Sequence, residues 1–253
     1  MKILLTNDDG IYAEGIQTLA QVLSRQEHDI VMVAPDRERS ASGHSITIKD
    51  PLRVNSVEFK KIPGIKSFKV DGTPADCVKL GIEKFVDFEP DLIISGINDG
   101  ANLGYDVLYS GTVSAAIEAW MMGYNSIAVS LAVKEDRNFK SAANFVSDFL
   151  KKLELDLLPE RMLLNINVPD LPREKMQGSY IADLGASNYV DSFEERVDPM
   201  GSNYYWLSGK TKEEFSYNTD IWAVNHGKIA LTPLKIELTN VSQKEVIQKI
   251  LKS

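Results

Sequence analysis

One alternation governs residues 2–168 and leaves few folds open to the chain. Short apolar runs at Lys2–Thr6, Asp29–Ala34, Asp91–Ser95, Ser126–Ala132 and Met162–Val168 read as buried strands. Stretches of helical period separate them. Ala13–Arg25 places Ile16, Leu19, Ala20, Val22 and Leu23 on one stripe, Thr112–Met122 is alanine-rich, and Asn138–Leu153 is amphipathic. Strands that alternate with helices assemble into a parallel or mixed sheet with helices on its faces, so the class expected is α/β. His44–Lys49 and Lys66–Val70 carry shorter β-like patterns. Pro74–Phe85 reads as a helix with Pro74 in its first turn and Thr73 as its cap.

The pattern changes after about residue 183. Asp183–Asp220 holds eight acids against three bases, and seven of the 21 aromatic residues. That aromatic content excludes a disordered linker, so the stretch reads as a β-rich excursion. It either packs on its own chain or serves as an arm toward another subunit. Lys228–Leu238 then reads as a strand and Ser242–Lys252 as a closing helix. The 253 residues are expected to form one α/β domain, 1–253, with 183–220 as an arm within it.

Composition narrows the partners. Lys plus Arg is 28 and Asp plus Glu is 36, a net charge of −8. That balance disfavours an extended nucleic acid duplex and an anionic membrane surface as partners. Cys77 is the single cysteine, so no disulfide can form within the chain, and a cysteine-based zinc site is disfavoured. A reducing, cytoplasmic location suits this. The opening Met1-Lys2-Ile3-Leu4-Leu5-Thr6-Asn7-Asp8-Asp9 is too briefly apolar for a signal peptide. No apolar run reaches the ~18 residues of a membrane span.

The chemistry concentrates at predicted strand ends. Asn7-Asp8-Asp9-Gly10 closes the first strand. Two adjacent carboxylates repel each other there unless a cation neutralises them, and a turn opened by Gly10 can swing both toward one point. In isolation such a run is more often a turn that caps the next helix. Ser40 lies in Asp36–Ser45, a charged and serine-rich loop after the second strand. The stretch Ser95–Thr112, SGINDGANLGYDVLYSGT, carries glycines at 96, 100, 104 and 111 and ends in Ser110-Gly111-Thr112 at a helix start. Its glycines admit a ligand close to the backbone, and a helix N-terminus offers N–H groups to an anion. The spacing matches neither a Walker A loop nor a dinucleotide fingerprint. Asp8, Asp9, Ser40 and Asn98 thus fall just past the carboxyl ends of three predicted strands, where open α/β sheets bind ligands. All four offer hard oxygen donors, which select Mg²⁺, Mn²⁺ or Ca²⁺ over zinc or copper. Of the histidines, His28 and His226 read as structural or surface residues, whereas His44 lies within reach of the site.

Five stretches also resemble the SurE family, the survival protein E nucleotidases. They are Ile3–Gly10, Ala34–Thr47, Gly72–Cys77, Pro90–Ala119 and Thr219–Leu234, in the family's order. The resemblance implies a three-layer α/β/α fold with a mostly parallel, Rossmann-like sheet and a β-rich C-terminal extension. It implies hydrolysis of nucleoside 5′- and 3′-monophosphates with one divalent ion, Mg²⁺ or Mn²⁺, per subunit. The family's metal ligands fall on Asp8, Asp9, Ser40 and Asn98. Its phosphate-proximal groups fall on Gly43, Asn98, Asn102, Ser110, Gly111 and Thr112. Asp8, Asp9 and Asn102 are then the candidate catalytic residues, with either aspartate as proton acceptor. The resemblance further implies a homodimer or homotetramer. Glu14 departs from the family, standing where many members have proline. Two other readings use the same residues: an Asp8 nucleophile, although Gly10 occupies the position of the usual second aspartate, and a nucleotide-binding regulator without turnover.

Overall fold

The computed structural model describes residues 1–133, 136–186, 189–211 and 216–252. Strands β1 (Lys2–Thr6), β2 (Asp29–Pro35), β3 (Val54–Val57), β4 (Lys66–Val70), β5 (Leu92–Asp99), β6 (Ser126–Ala132), β7 (Leu163–Pro169), β8 (Ser179–Ile181) and β11 (Ile229–Pro233) form one sheet. Its order is β3-β4-β2-β1-β5-β6-β7-β11-β8. Only β3 against β4 and β11 against β7 pair antiparallel; the rest of the ladder is parallel.

The central strands β1, β2, β5, β6 and β7 are buried on both faces, which is why they are largely apolar runs, whereas β3, β4 and β8 toward the edges are partly exposed. Successive side chains point to opposite sides. From β1, Ile3 and Leu5 meet helices α1 (Glu14–Leu23) and α4 (Phe139–Leu150), whereas Leu4 meets α2 (Pro74–Leu80) and α3 (Gly111–Met121). Three layers result, with β1, β2 and β5 central and their carboxyl ends opening on one edge. Cys77, on the buried face of α2, is fully buried, which pushes its thiol well up, so it packs as a small apolar residue.

Three differences from the sequence expectation have local causes. His44–Lys49 is not a strand. Its backbone is taken by the cap of α2 instead: Thr47 N–H donates to Asp76 Oδ1 at 3.0 Å, and Thr73 Oγ1 donates to Ser45 O at 2.8 Å. The helix expected over Pro74–Phe85 stops at Leu80 and continues as a π-helical turn, Gly81–Phe85. Strand β5 runs to Asp99, past the expected Ser95, because the register with β6 shifts between Ser95 and Asn98. Gly96 makes that bulge possible. It has φ +139°, and a Cβ there would lie 2.3 Å from Val129 O.

The excursion after residue 183 contains the hairpin β9 (Tyr189–Val197) and β10 (Asn203–Thr211), a separate two-stranded sheet. Phe193, Tyr205, Trp206 and Leu207 on it are exposed. Phe215, one of the aromatics counted in the arm, lies outside the described residues, as do residues 187, 188 and 212–214. Beyond it come α5 (Asp220–Asn225) and the terminal helix α6 (Val241–Ile250). Among the described residues no helix is long and apolar enough to cross a membrane.

Candidate active site

A cleft of about 340 Å³ opens at the carboxyl ends of β1, β2 and β5, and Asp8, Asp9, Ser40, Asn98, Asn102 and Ser110 line it. Asp106 and Tyr109, which sequence reasoning passed over within the glycine-rich stretch, line it as well.

Gly10 turns the chain sharply after β1, at φ +96°, with a Cβ position 3.0 Å from Arg37 C. Asn7 Nδ2 closes the turn onto Gly10 O at 2.9 Å. Arg39 N–H donates to Asp8 O at 2.7 Å and brings the serine-rich loop alongside. Asp8 is buried, and Thr112 directs both its hydroxyl and its backbone N–H at the Asp8 carboxylate. Asp9 Oδ2 accepts from Asp99 N–H at 3.0 Å.

Burial pushes the Asp8 carboxyl up, against the Thr112 donors. Burial, reinforced by the charge of Asp8, pushes Asp9 up to about 6. Among the described residues no lysine or arginine pairs with either. A buried carboxylate beside a half-buried one, without a cation, is the electrostatic condition that a divalent ion relieves.

The other oxygens suit such an ion too. Ser40 gives its proton to Glu38 Oε1 at 2.6 Å, which leaves its lone pairs for a ligand. Asn98 Nδ2 donates to Gly100 O at 2.9 Å, which leaves its amide oxygen. Only two of the four donors are carboxylates. Accordingly, among the described residues no group of three or more His, Cys, Asp or Glu side chains is arranged to hold a metal.

The remaining predicted residues divide into two sets. Ser110 caps α3, its Oγ accepting from Val113 N–H at 3.1 Å, and faces the cleft. Gly111 and Thr112 instead lie behind Asp8: a Cβ on Gly111 would stand 2.7 Å from Asp8 Cβ. Thr112 is fully buried with its donors committed to that carboxylate. Gly43, at φ +56°, donates its N–H to Tyr109 O at 3.3 Å, joining the serine-rich loop to the cleft wall.

His44 turns away from the cleft. Its Nε2 meets Glu118 Oε2 of α3 at 2.7 Å, and Lys79 of α2 donates to Glu118 Oε1 at 2.7 Å. Burial pushes Glu118 up, but Lys79 and His44 outweigh it and hold the carboxyl below its ordinary value of 4.5. A lowered carboxylate contributes stability that is full above its ordinary value and is lost as pH falls below that value and through the lowered one. Lys79→Met is therefore expected to move acid unfolding to higher pH, read by circular dichroism along a pH titration; an unchanged midpoint would contradict the coupling.

His28 and His226 serve structure. His28 contacts the Met1 amino group and Gln26, and His226 stacks on Trp222 with ring centroids 4.4 Å apart. Glu14 lines a separate groove between α1 and α4 rather than the cleft. Asp220 was not foreseen as a functional residue. It is fully buried and accepts from Gly104 N–H at 2.8 Å and Gly185 N–H at 2.9 Å, so it ties the glycine-rich loop to the root of the arm. The cap sequence Thr219-Asp220 ahead of an apolar run was its available signal.

The family model described as Survival protein SurE matches residues 3–191. The chain belongs to the SurE family. It is 52% identical over 240 residues to the 5′-nucleotidase SurE of Gloeobacter violaceus, covering 94% of this chain and 91% of that one. It is 48% identical over 244 residues to the 5′-nucleotidase SurE of Carboxydothermus hydrogenoformans, covering 95% and 92%. The crystal structure of SurE protein from Aquifex aeolicus superposes with a TM-score of 0.88 at 37% identity, over the full length of both chains. SurE membership thus rests on sequence and fold together.

Proposed function

We propose that this chain is a 5′-nucleotidase that hydrolyses nucleoside monophosphates to nucleoside and phosphate with the help of a divalent ion. The observation that carries the reading is the adjacent pair of buried Asp8 and half-buried Asp9, without a protein cation among the described residues and facing a glycine-rich wall that ends in the N-terminus of α3. The relatives' common name, 5′-nucleotidase SurE, supports the same activity.

Asp8, Asp9, Ser40 and Asn98 would hold the ion, with oxygen donors suited to Mg²⁺ or Mn²⁺. Bound there, it supplies charge stabilisation to the phosphoryl oxygens and activation of water. The chain's residues do the rest. The Ser110 hydroxyl and the second amide hydrogen of Asn102, the one not given to Ser130, would face the phosphoryl group and stabilise its developing charge. Thr112 and Gly111 seat the Asp8 carboxylate. Asp8 or Asp9 accepts the proton of the attacking water, and 3′-monophosphates fit the same chemistry.

The test is phosphate release from AMP and from a chromogenic aryl phosphate by purified protein, with Mg²⁺, with Mn²⁺ and after chelation. Release that depends on the ion supports the reading; none with any ion overturns it.

The protein would act as one domain in a homodimer or homotetramer, in the cytoplasm. An isolated two-stranded hairpin is marginal in water, and the β9–β10 hairpin leaves Trp206 59% and Leu207 67% exposed, which favours cover by a second copy. Replacing the hairpin, residues 189–211, with a short glycine-serine linker, which leaves Asp220 and its contacts in place, is expected to lower the number of subunits measured by light scattering. An unchanged oligomer would count against the arm.

A further inference from the structure

Strand β7 carries Asn165 and Asn167, which project to one face of the sheet and are fully buried. Asparagine is depleted from strands, and a buried amide costs free energy unless its polar atoms are met. Both amide nitrogens donate to the same atom, the backbone oxygen of Asn102, at 2.8 Å from Asn165 and 2.9 Å from Asn167. Asn167 Oδ1 also accepts from Asn102 N–H at 2.9 Å. The Asn102 side chain is held in turn, its Nδ2 donating to Ser130 Oγ at 2.8 Å. Ser130 is the register partner of Asn167 on β6.

Asn102 itself lies in no helix or strand. Nothing local orients it, yet both of its backbone polar groups and its amide are bonded from below. Among the described residues Asn165 Oδ1 meets no hydrogen-bond partner, and what the side chain supplies to Asn102 is its donor. A valine or leucine at either position would suit the strand better and would release the loop.

We propose that Asn165 and Asn167 are positioning residues that hold Asn102 in the cleft where the phosphoryl group binds. This rests on the phosphatase reading above. Positioning of this kind is effective because a misplacement of about 1 Å can cost on the order of 10²-fold in rate.

The experiment compares wild type, Asn167→Ala, Asn165→Ala and Leu164→Ala in Mn²⁺-dependent AMP hydrolysis, at a temperature where circular dichroism shows each folded. Leu164 points to the other face of the same strand, into the apolar cluster with α1 and α4, so its variant controls for lost stability. Asn167→Ala is expected to lower kcat on the order of 10²-fold, and Asn165→Ala, which loses one donor of two, on the order of tenfold. The Mn²⁺ concentration giving half-maximal rate should stay unchanged, because Asp8, Asp9, Ser40 and Asn98 are untouched. Leu164→Ala should lose melting temperature and keep its kcat. Asn167→Ser, which leaves a smaller void, gives the same readout if the alanine variant does not fold.

Wild-type kcat in Asn167→Ala, or an equal loss of kcat in Leu164→Ala, overturns the proposal while the phosphatase reading stands. A wild-type chain that releases no phosphate under any ion overturns both.

Discussion

Asp8→Asn is expected to abolish phosphate release, by roughly 10³-fold or more, while leaving the fold intact. The expectation follows from what the substitution keeps and what it removes. An asparagine oxygen can still accept from Thr112, so the contact between β1 and α3 survives. The negative charge does not. Removing one ligand charge from a divalent site forfeits several kcal/mol of transition-state stabilisation, and each ~1.4 kcal/mol is tenfold in rate. Stability should move the other way. Burial already pushes Asp8 up, so the ion-free protein bears a cost for holding the charge, and a neutral amide relieves it. The melting temperature of Asp8→Asn without added metal should equal or exceed that of wild type. Mn²⁺ should raise the wild-type melting temperature and leave that of the variant nearly unchanged. Full turnover in Asp8→Asn, or in wild type after exhaustive treatment with EDTA, would remove the metal from the mechanism.

Gly111→Ala is the second large effect, and its sign is contrary to the usual one. At a helix position with ordinary backbone angles, alanine in place of glycine stabilises by about 1 kcal/mol. Here the new Cβ would stand 2.7 Å from Asp8 Cβ and 2.8 Å from Asp8 Oδ2. Contacts that short force either the carboxylate or the start of α3 to shift. Either movement spoils the alignment of Asp8 with Asn98 and Ser110, so kcat should fall on the order of 10²-fold and the half-saturating metal concentration should rise. Steady-state kinetics across a metal titration, with thermal melting alongside, measures both. A more stable Gly111→Ala with wild-type kinetics would show that the glycine is kept for some other reason.

Much of this was legible along the chain because it is local. The apolar runs Lys2–Thr6 and Ser126–Ala132 and the shorter β-like pattern Lys66–Val70 have the same bounds in the structure. A strand buried on both faces is mostly apolar along its length, and that signal does not depend on its neighbours. Asp8, Asp9, Ser40 and Asn98 were placed together by the rule that parallel strands end on one edge, and they do line one cleft. The failures were also physical. His44–Lys49 has the alternation of a strand, but Asp76 and Thr73 of the α2 cap supply its partners before any strand does. Asn165 and Asn167 lay within a run that read simply as core, and nothing nearby in sequence shows what a buried amide bonds to.

The sequence by itself determined the α/β class, the edge of the sheet at which Asp8, Asp9, Ser40 and Asn98 gather, and the oxygen character of those side chains. These follow from periodicity, from turn-forming glycines and from side-chain chemistry, which neighbouring residues suffice to express. Only the tertiary structure decided which way the donors point. Thr112 turns its hydroxyl and N–H to Asp8 across 104 residues, and Asn165 reaches back 63 residues to Asn102. The order and register of the strands set those pairings. Both arise from packing across the whole sheet, so no single segment of the chain encodes them.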